Sequence, residues 1–179
     1  MIFITKFSKA SFLTYINIAV AVAGVYLVTV DIRLALACLF VCAVLDFFDG
    51  RFARSIKNRT EYDKKFGVII DSLGDVLMFS ALPSVILFNI ISCPIAAISI
   101  AIVYVSCGIT RLSVFTVETE PGKKNAYYRG LPITTAGAII PIAYFASLPT
   151  SDFAAEIIML SVYLTLAVLF VLNIKVKKP

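Results

Sequence analysis

The chain has 179 residues, 60% of them hydrophobic and 15% charged, with a net charge of +5 and a mean hydropathy of +0.97. A soluble domain is about 45–50% apolar and about 25% charged, so this composition excludes an ordinary soluble enzyme, a coiled coil, a disulfide scaffold and a disordered tail. The apolar residues run along the whole chain, which also excludes a soluble domain on one anchor, and residues 1–179 read as one compact integral membrane domain.

Residues 1–9 mix Ile and Phe with Lys6 and Lys9 and are expected to lie along the interface as a short amphipathic helix. A cleaved signal peptide is the alternative, but no A-x-A-like site follows and the chain beyond is itself membrane-embedded. A membrane span takes about 20 residues, and six are expected, at 13–30, 34–52, 66–88, 91–115, 133–148 and 153–174. Pro83 lies within the third and is expected to kink it; Pro94 and Pro141 lie near the ends of the fourth and fifth. The expected fold is therefore all-α and membrane-integral, with six transmembrane helices and one short N-terminal interfacial helix.

With the N-terminus inside, fifteen of the sixteen Lys and Arg residues fall on inside segments, and only Arg33 falls outside. That asymmetry predicts a multi-pass protein of the cell (inner) membrane with both termini cytoplasmic. The positive charge then answers an anionic leaflet rather than a nucleic acid. There is no His, which removes the commonest acid–base residue and metal ligand. Cys38, Cys42, Cys93 and Cys107 all sit in apolar stretches without metal-ligand spacing and read as packing residues.

The second span carries Asp46 and Asp49, and the third opens with Asp71 and Asp75. A carboxylate at membrane depth costs about 2.5–3.5 kcal/mol on insertion scales, so its presence points to function. At 100° per residue, Asp46, Asp49, Gly50, Ala53 and Arg54 share one helix face, as do Gly67, Asp71 and Asp75. Two antiparallel helices joined by a short loop bring the four carboxylates together near the inner surface. Four such groups in a low-dielectric site either take up protons or hold a cation. All-oxygen ligands suit a hard divalent ion, Mg²⁺ or Mn²⁺, with Ca²⁺ a further candidate, and four carboxylates suit two ions. Small residues and an arginine beside them suit a pyrophosphate or nucleotide. The structural alternative is pairing of Asp46 or Asp49 with Arg51 or Arg54.

The stretch Asp46-Phe-Phe-Asp49-Gly50-Arg-Phe-Ala53-Arg54, twelve residues, then Gly67-Val-Ile-Ile-Asp71-Ser-Leu-Gly-Asp75 resembles the motif of the CDP-alcohol phosphotransferase family at all eight fixed positions. The resemblance implies an enzyme that moves a substituted phosphate from a CDP-linked lipid to an alcohol and releases CMP. It implies that Asp46, Asp49, Asp71 and Asp75 hold two divalent ions and that Asp75 is the general base. Gly50, Ala53, Arg54 and Gly67 would shape the nucleotide pocket, Asn17 would lie near the nucleotide, and the chain would form a homodimer.

Further on, Arg111-Leu-Ser-Val-Phe115 and Tyr127-Tyr-Arg129-Gly130-Leu131-Pro132 resemble the phosphatidylserine synthase branch of that family, with Val114 and Thr116 standing where the branch has Arg and Asn. This implies CDP-diacylglycerol and L-serine as substrates and makes Arg111 and Arg129 candidates for an acceptor carboxylate or lipid phosphate. The alternatives are another acceptor, glycerol 3-phosphate or inositol phosphate, or CDP-archaeol as donor. A different class altogether is a divalent cation transporter, but all four aspartates lie near one surface, and the first, fourth and fifth spans contain no acid.

Overall fold

The computed structural model describes residues 11–55, 60–118, 127–173 and 175–177, with side chains outside that description at 50–55, 127–129 and 175–177. The expected interfacial helix at 1–9 lies outside the described residues.

Six helical segments stand where six spans were expected. They are α1 (Phe12–Leu27), α2 (Ile32–Ser55), α3 (Glu61–Val76) continuing through a π-helical turn (Leu77–Ala81) into α4 (Leu82–Ile90), α5 (Pro94–Glu118), α6 (Ala136–Ser147) and α7 (Asp152–Val171). Three are long and apolar enough to cross a membrane: Glu61–Ile90, Pro94–Glu118 and Asp152–Val171. The helices Phe12–Leu27 and Ile133–Ser147 are apolar but shorter. Helix α2 has the length, 24 residues, but carries Arg33, Asp46, Asp49, Arg51 and Arg54.

The polarity of the bundle is that of a membrane protein. Its interior is closed by Leu36, Leu39, Phe79, Leu82, Ile86, Tyr104, Ile140, Tyr163 and Phe170. Its outer surface is apolar as well, with Val22, Tyr26, Phe47, Leu73, Ile95, Ile102, Phe153 and Val168 all exposed. An apolar exterior of this extent is unstable in water and normal in lipid. Because lipid tails are as apolar as the core, helices in a bilayer associate chiefly by close packing. Gly137 of α6 provides it: a Cβ there would stand 2.6 Å from Ala43 Cβ and 3.0 Å from the Leu39 carbonyl oxygen of α2.

Three local features depart from a plain six-span reading. First, α3 begins at Glu61, five residues before the expected span, because Thr60 caps it. The Thr60 hydroxyl accepts from Asp63 N–H at 3.1 Å, and the Asp63 carboxylate accepts from Thr60 N–H at 3.0 Å. This reciprocal box, with Glu61 and Asp63 in the first turn, stabilises the helix end and its dipole. Second, the expected kink at Pro83 takes the form of the π-turn just ahead of it. Third, a two-stranded antiparallel ribbon pairs β1 (Tyr127–Arg129) with β2 (Lys175–Lys177), Arg129 opposite Lys175. Gly130 follows β1 at φ +75°, and a side chain there would strike the Phe170 carbonyl oxygen. Glycine alone meets both demands.

Candidate active site

The four aspartates converge as their spacing predicts. Asp46 and Asp49 occupy the later half of α2, and Asp71 and Asp75 lie one helical turn apart on α3. One carboxylate oxygen from each of Asp46, Asp49 and Asp71 lies within 4.8 Å of the other two. The side chains of Asp46 and Asp75 are within hydrogen-bonding reach, as are those of Asp49 and Asp71. Asp49 and Asp75 are buried, at 6% and 7% exposure, so their charge cannot be left to water. Asp75 Oδ1 has no hydrogen-bond partner among the described residues.

Neighbouring helices supply the walls. Thr14 of α1 donates to Asp49 Oδ2 at 3.3 Å. One turn before Asp46, Asn17 Nδ2 donates to the Cys42 carbonyl at 3.0 Å, tying α1 to α2, while Asn17 Oδ1 is buried without a partner among the described residues. Arg111 of α5 is buried, its guanidinium carbon 5.3 Å from the centre of the Phe115 ring. Its positive charge is felt at Asp46 and Asp75. Ser72 of α3 and Thr116 of α5 join hydroxyls at 2.8 Å beside Asp71. Thr116 donates onward to the Leu112 carbonyl at 2.8 Å, so Ser72 is the donor within the pair.

Of the other residues singled out in the sequence, Gly67 is half-buried on α3, one turn before Asp71. Helix α2 runs on through Gly50, Ala53 and Arg54, and Arg129 lies in β1, but their side chains fall outside the described residues. Sequence reasoning missed Thr14, Ser72 and Thr116 as neighbours of the aspartates. Thr14 had a readable signal, standing three residues before Asn17 on an otherwise apolar helix. The Ser72–Thr116 contact spans 44 positions and left none.

The donor set fits a hard cation. Around six-coordinate Mg²⁺, with oxygens at about 2.0–2.1 Å, neighbouring ligand atoms stand roughly 3 Å apart and opposite ones roughly 4 Å; Ca²⁺ widens both. Oxygens within 4.8 Å of one another need only small side-chain adjustments to close on one ion. Asp75, adjoining Asp46, offers an oxygen to a second ion or to a proton. Carboxylates able to hold a metal and a buried arginine on a neighbouring helix are groups suited to a phosphorylated ligand.

Comparison with known proteins agrees. The family model described as CDP-alcohol phosphatidyltransferase matches residues 7–171. The chain is 31% identical over 121 residues to the CDP-diacylglycerol–serine O-phosphatidyltransferase of Bacillus subtilis, covering 66% of this chain and 64% of that protein. It is 31% identical over 149 residues to the Helicobacter pylori enzyme of the same name, covering 80% and 61%. It is 34% identical over 139 residues to the archaetidylserine synthase of Methanothermobacter thermautotrophicus, covering 76% and 57%. The matched part thus spans less than two thirds of each of these relatives.

Proposed function

Because this chain belongs to the CDP-alcohol phosphatidyltransferase family, we propose that it transfers the phosphatidyl group of CDP-diacylglycerol to the hydroxyl of L-serine, giving phosphatidylserine and CMP. The observation that carries the reading is the gathering of Asp46, Asp49 and Asp71 within 4.8 Å, with Asp75 one turn along α3 from Asp71 and a buried Arg111 on α5.

In this reading Asp46, Asp49, Asp71 and Asp75 hold two divalent ions, Mg²⁺ or Mn²⁺. When bound, the ions neutralise the pyrophosphate and the departing CMP. Asp75, whose Oδ1 has no partner among the described residues, takes the proton from the serine hydroxyl as its oxygen bonds to the lipid-side phosphorus and the bond to CMP breaks. Arg111 holds the serine carboxylate, the role for which a guanidinium fork is suited. Its distance from Phe115, 5.3 Å, keeps the guanidinium plane over an aromatic face and limits its rotation. Gly50, Ala53, Arg54 and Gly67 border the nucleotide, and Arg129 is a second candidate for the lipid phosphate. Asn17 keeps Oδ1 and one N–H of Nδ2 for the nucleotide, the other N–H being given to the Cys42 carbonyl.

Serine is favoured over glycerol 3-phosphate or inositol phosphate because it is common to the names of the three relatives, whereas their lipid differs. CDP-archaeol therefore remains a donor to test beside CDP-diacylglycerol. The proposal includes a homodimer in the cell membrane, with termini and site cytoplasmic. Its support is the family resemblance and the fifteen-to-one distribution of Lys and Arg.

The experiment is CMP release from each donor with serine, glycerol 3-phosphate or inositol phosphate in turn, with and without chelator. Serine-dependent release that chelator abolishes and Mg²⁺ or Mn²⁺ restores is expected. Release that serine fails to stimulate refutes the acceptor. Divalent-ion flux in proteoliposomes without CMP release would favour the transporter.

A further inference from the structure

The helix that carries Asp71 and Asp75 is interrupted two residues later. Within the π-turn the Leu82 N–H reaches the Leu77 carbonyl, five residues back. Pro83 has no N–H and so cannot bond the Phe79 carbonyl as an ordinary helical residue would. A buried carbonyl left without a donor is costly, and the fold supplies donors from elsewhere. Tyr104 of α5 donates its hydroxyl to the Phe79 carbonyl at 2.8 Å. Ser84 donates to the Ser80 carbonyl at 2.7 Å, and Tyr163 of α7 donates to the Pro83 carbonyl at 2.8 Å. Both tyrosines are fully buried, and their rings lie 5.1 Å apart.

Both tyrosines donate to a backbone carbonyl beside the turn, but only Tyr104 meets the carbonyl that Pro83 leaves without its helical N–H. Tyr104 and Arg111 are seven residues apart on α5, two turns along the same buried face that also holds Gly108. Helix α5 therefore meets the preceding segment at Thr116, on Ser72, and at Tyr104, on the Phe79 carbonyl one turn after Asp75, with Arg111 between the two. We propose that Tyr104 is a positioning residue: by holding the Phe79 carbonyl it fixes the register of α3 against α5, and so keeps Asp75 opposite Arg111 and Asp46. The assignment rests on the transfer reaction proposed above. Tyr163 braces the far side of the turn, on a helix that brings no residue to the cluster.

The test compares Tyr104→Phe with Tyr163→Phe in the full chain, each stripping one hydroxyl from one buried carbonyl. Thermal unfolding in detergent should fall by similar amounts in both. Tyr104→Phe should lose about 10- to 100-fold in kcat, the scale of a misplaced reacting group, with KM for CDP-diacylglycerol within about twofold of the parent. Tyr163→Phe should keep kcat within about twofold. Independently of turnover, Mn²⁺ titration followed by electron paramagnetic resonance should be weakened severalfold by Tyr104→Phe and unchanged by Tyr163→Phe. Equal losses in both variants, full activity of Tyr104→Phe, or failure of Tyr104→Phe alone to fold would make Tyr104 a purely structural brace and overturn the proposal. Were the parent to bind Mn²⁺ but release no CMP, the transfer reading would fall and the titration alone would decide the register claim. A parent that does neither overturns both.

Discussion

Replacing Asp71 by Asn should move stability and function in opposite directions. Three carboxylate oxygens lie within 4.8 Å of one another. At that separation and an effective dielectric of about 20, two full charges repel by about 3.5 kcal/mol. Asp71→Asn removes two of the three pairs, about 7 kcal/mol of repulsion if all are ionised and 4.8 Å apart, while preserving side-chain shape. Relief of even about 2 kcal/mol should raise the metal-free melting temperature by about 4–8 °C in a chain of this size. The parent should instead gain its stability from the ion: a divalent cation at a hundred times its Kd contributes about 2.7 kcal/mol. The assay is thermal unfolding in detergent with chelator and again with saturating Mg²⁺, beside CMP release. The parent should melt low in chelator and rise with Mg²⁺; the variant should melt higher in chelator, rise little with Mg²⁺ and release almost no CMP. A variant that melts lower than the parent in chelator and still responds fully to Mg²⁺ would refute the reasoning that these carboxylates form a cation site.

Asp75→Asn should lower kcat for CMP release by about 10²–10⁴-fold, the usual contribution of a positioned base, with the serine KM little altered; a loss under threefold would remove Asp75 from that role. Arg111→Gln should raise the serine KM by about 10- to 100-fold, the equivalent of one charge-assisted hydrogen bond, measured by initial rates against serine concentration at fixed donor. Gly137→Ala should cost about 1–3 kcal/mol by overpacking, because its new Cβ would stand 2.6 Å from Ala43 Cβ and 3.1 Å from Phe79 Cε1; an unchanged melting temperature would show that α2 and α6 separate freely.

The aspartates were legible because helical periodicity converts spacing into a shared face, and membrane depth makes a shared acidic face expensive unless it has a use. Arg111 stood out for the same reason, as a charge inside an apolar run, and the structure buries it on α5. The start of α3 was harder to read, because hydropathy marks where a helix enters lipid and not where it begins. Thr60 and Asp63 set that beginning three turns before Asp71. Pro83 announced a break, but its form depends on hydroxyls delivered by Tyr104 and Tyr163 to carbonyls 25 and 80 positions away. Asn17 was read as a nucleotide neighbour, yet half of its amide is engaged in holding α1 to Cys42. The ribbon of Tyr127–Arg129 with Lys175–Lys177 had no sequence signal, since three-residue strands carry too little periodicity to stand out.

That ribbon has a topological consequence. Between its strands the chain runs through two helices, α6 and α7, yet the backbone pairing of Tyr127–Arg129 with Lys175–Lys177 brings both ends of that stretch together. The stretch preceding α6 and the stretch following α7 must therefore face the same compartment, whichever compartment it is. A reporter fused behind Lys177 reads the sidedness of both at once, by backbone pairing alone and without any appeal to the distribution of lysine and arginine.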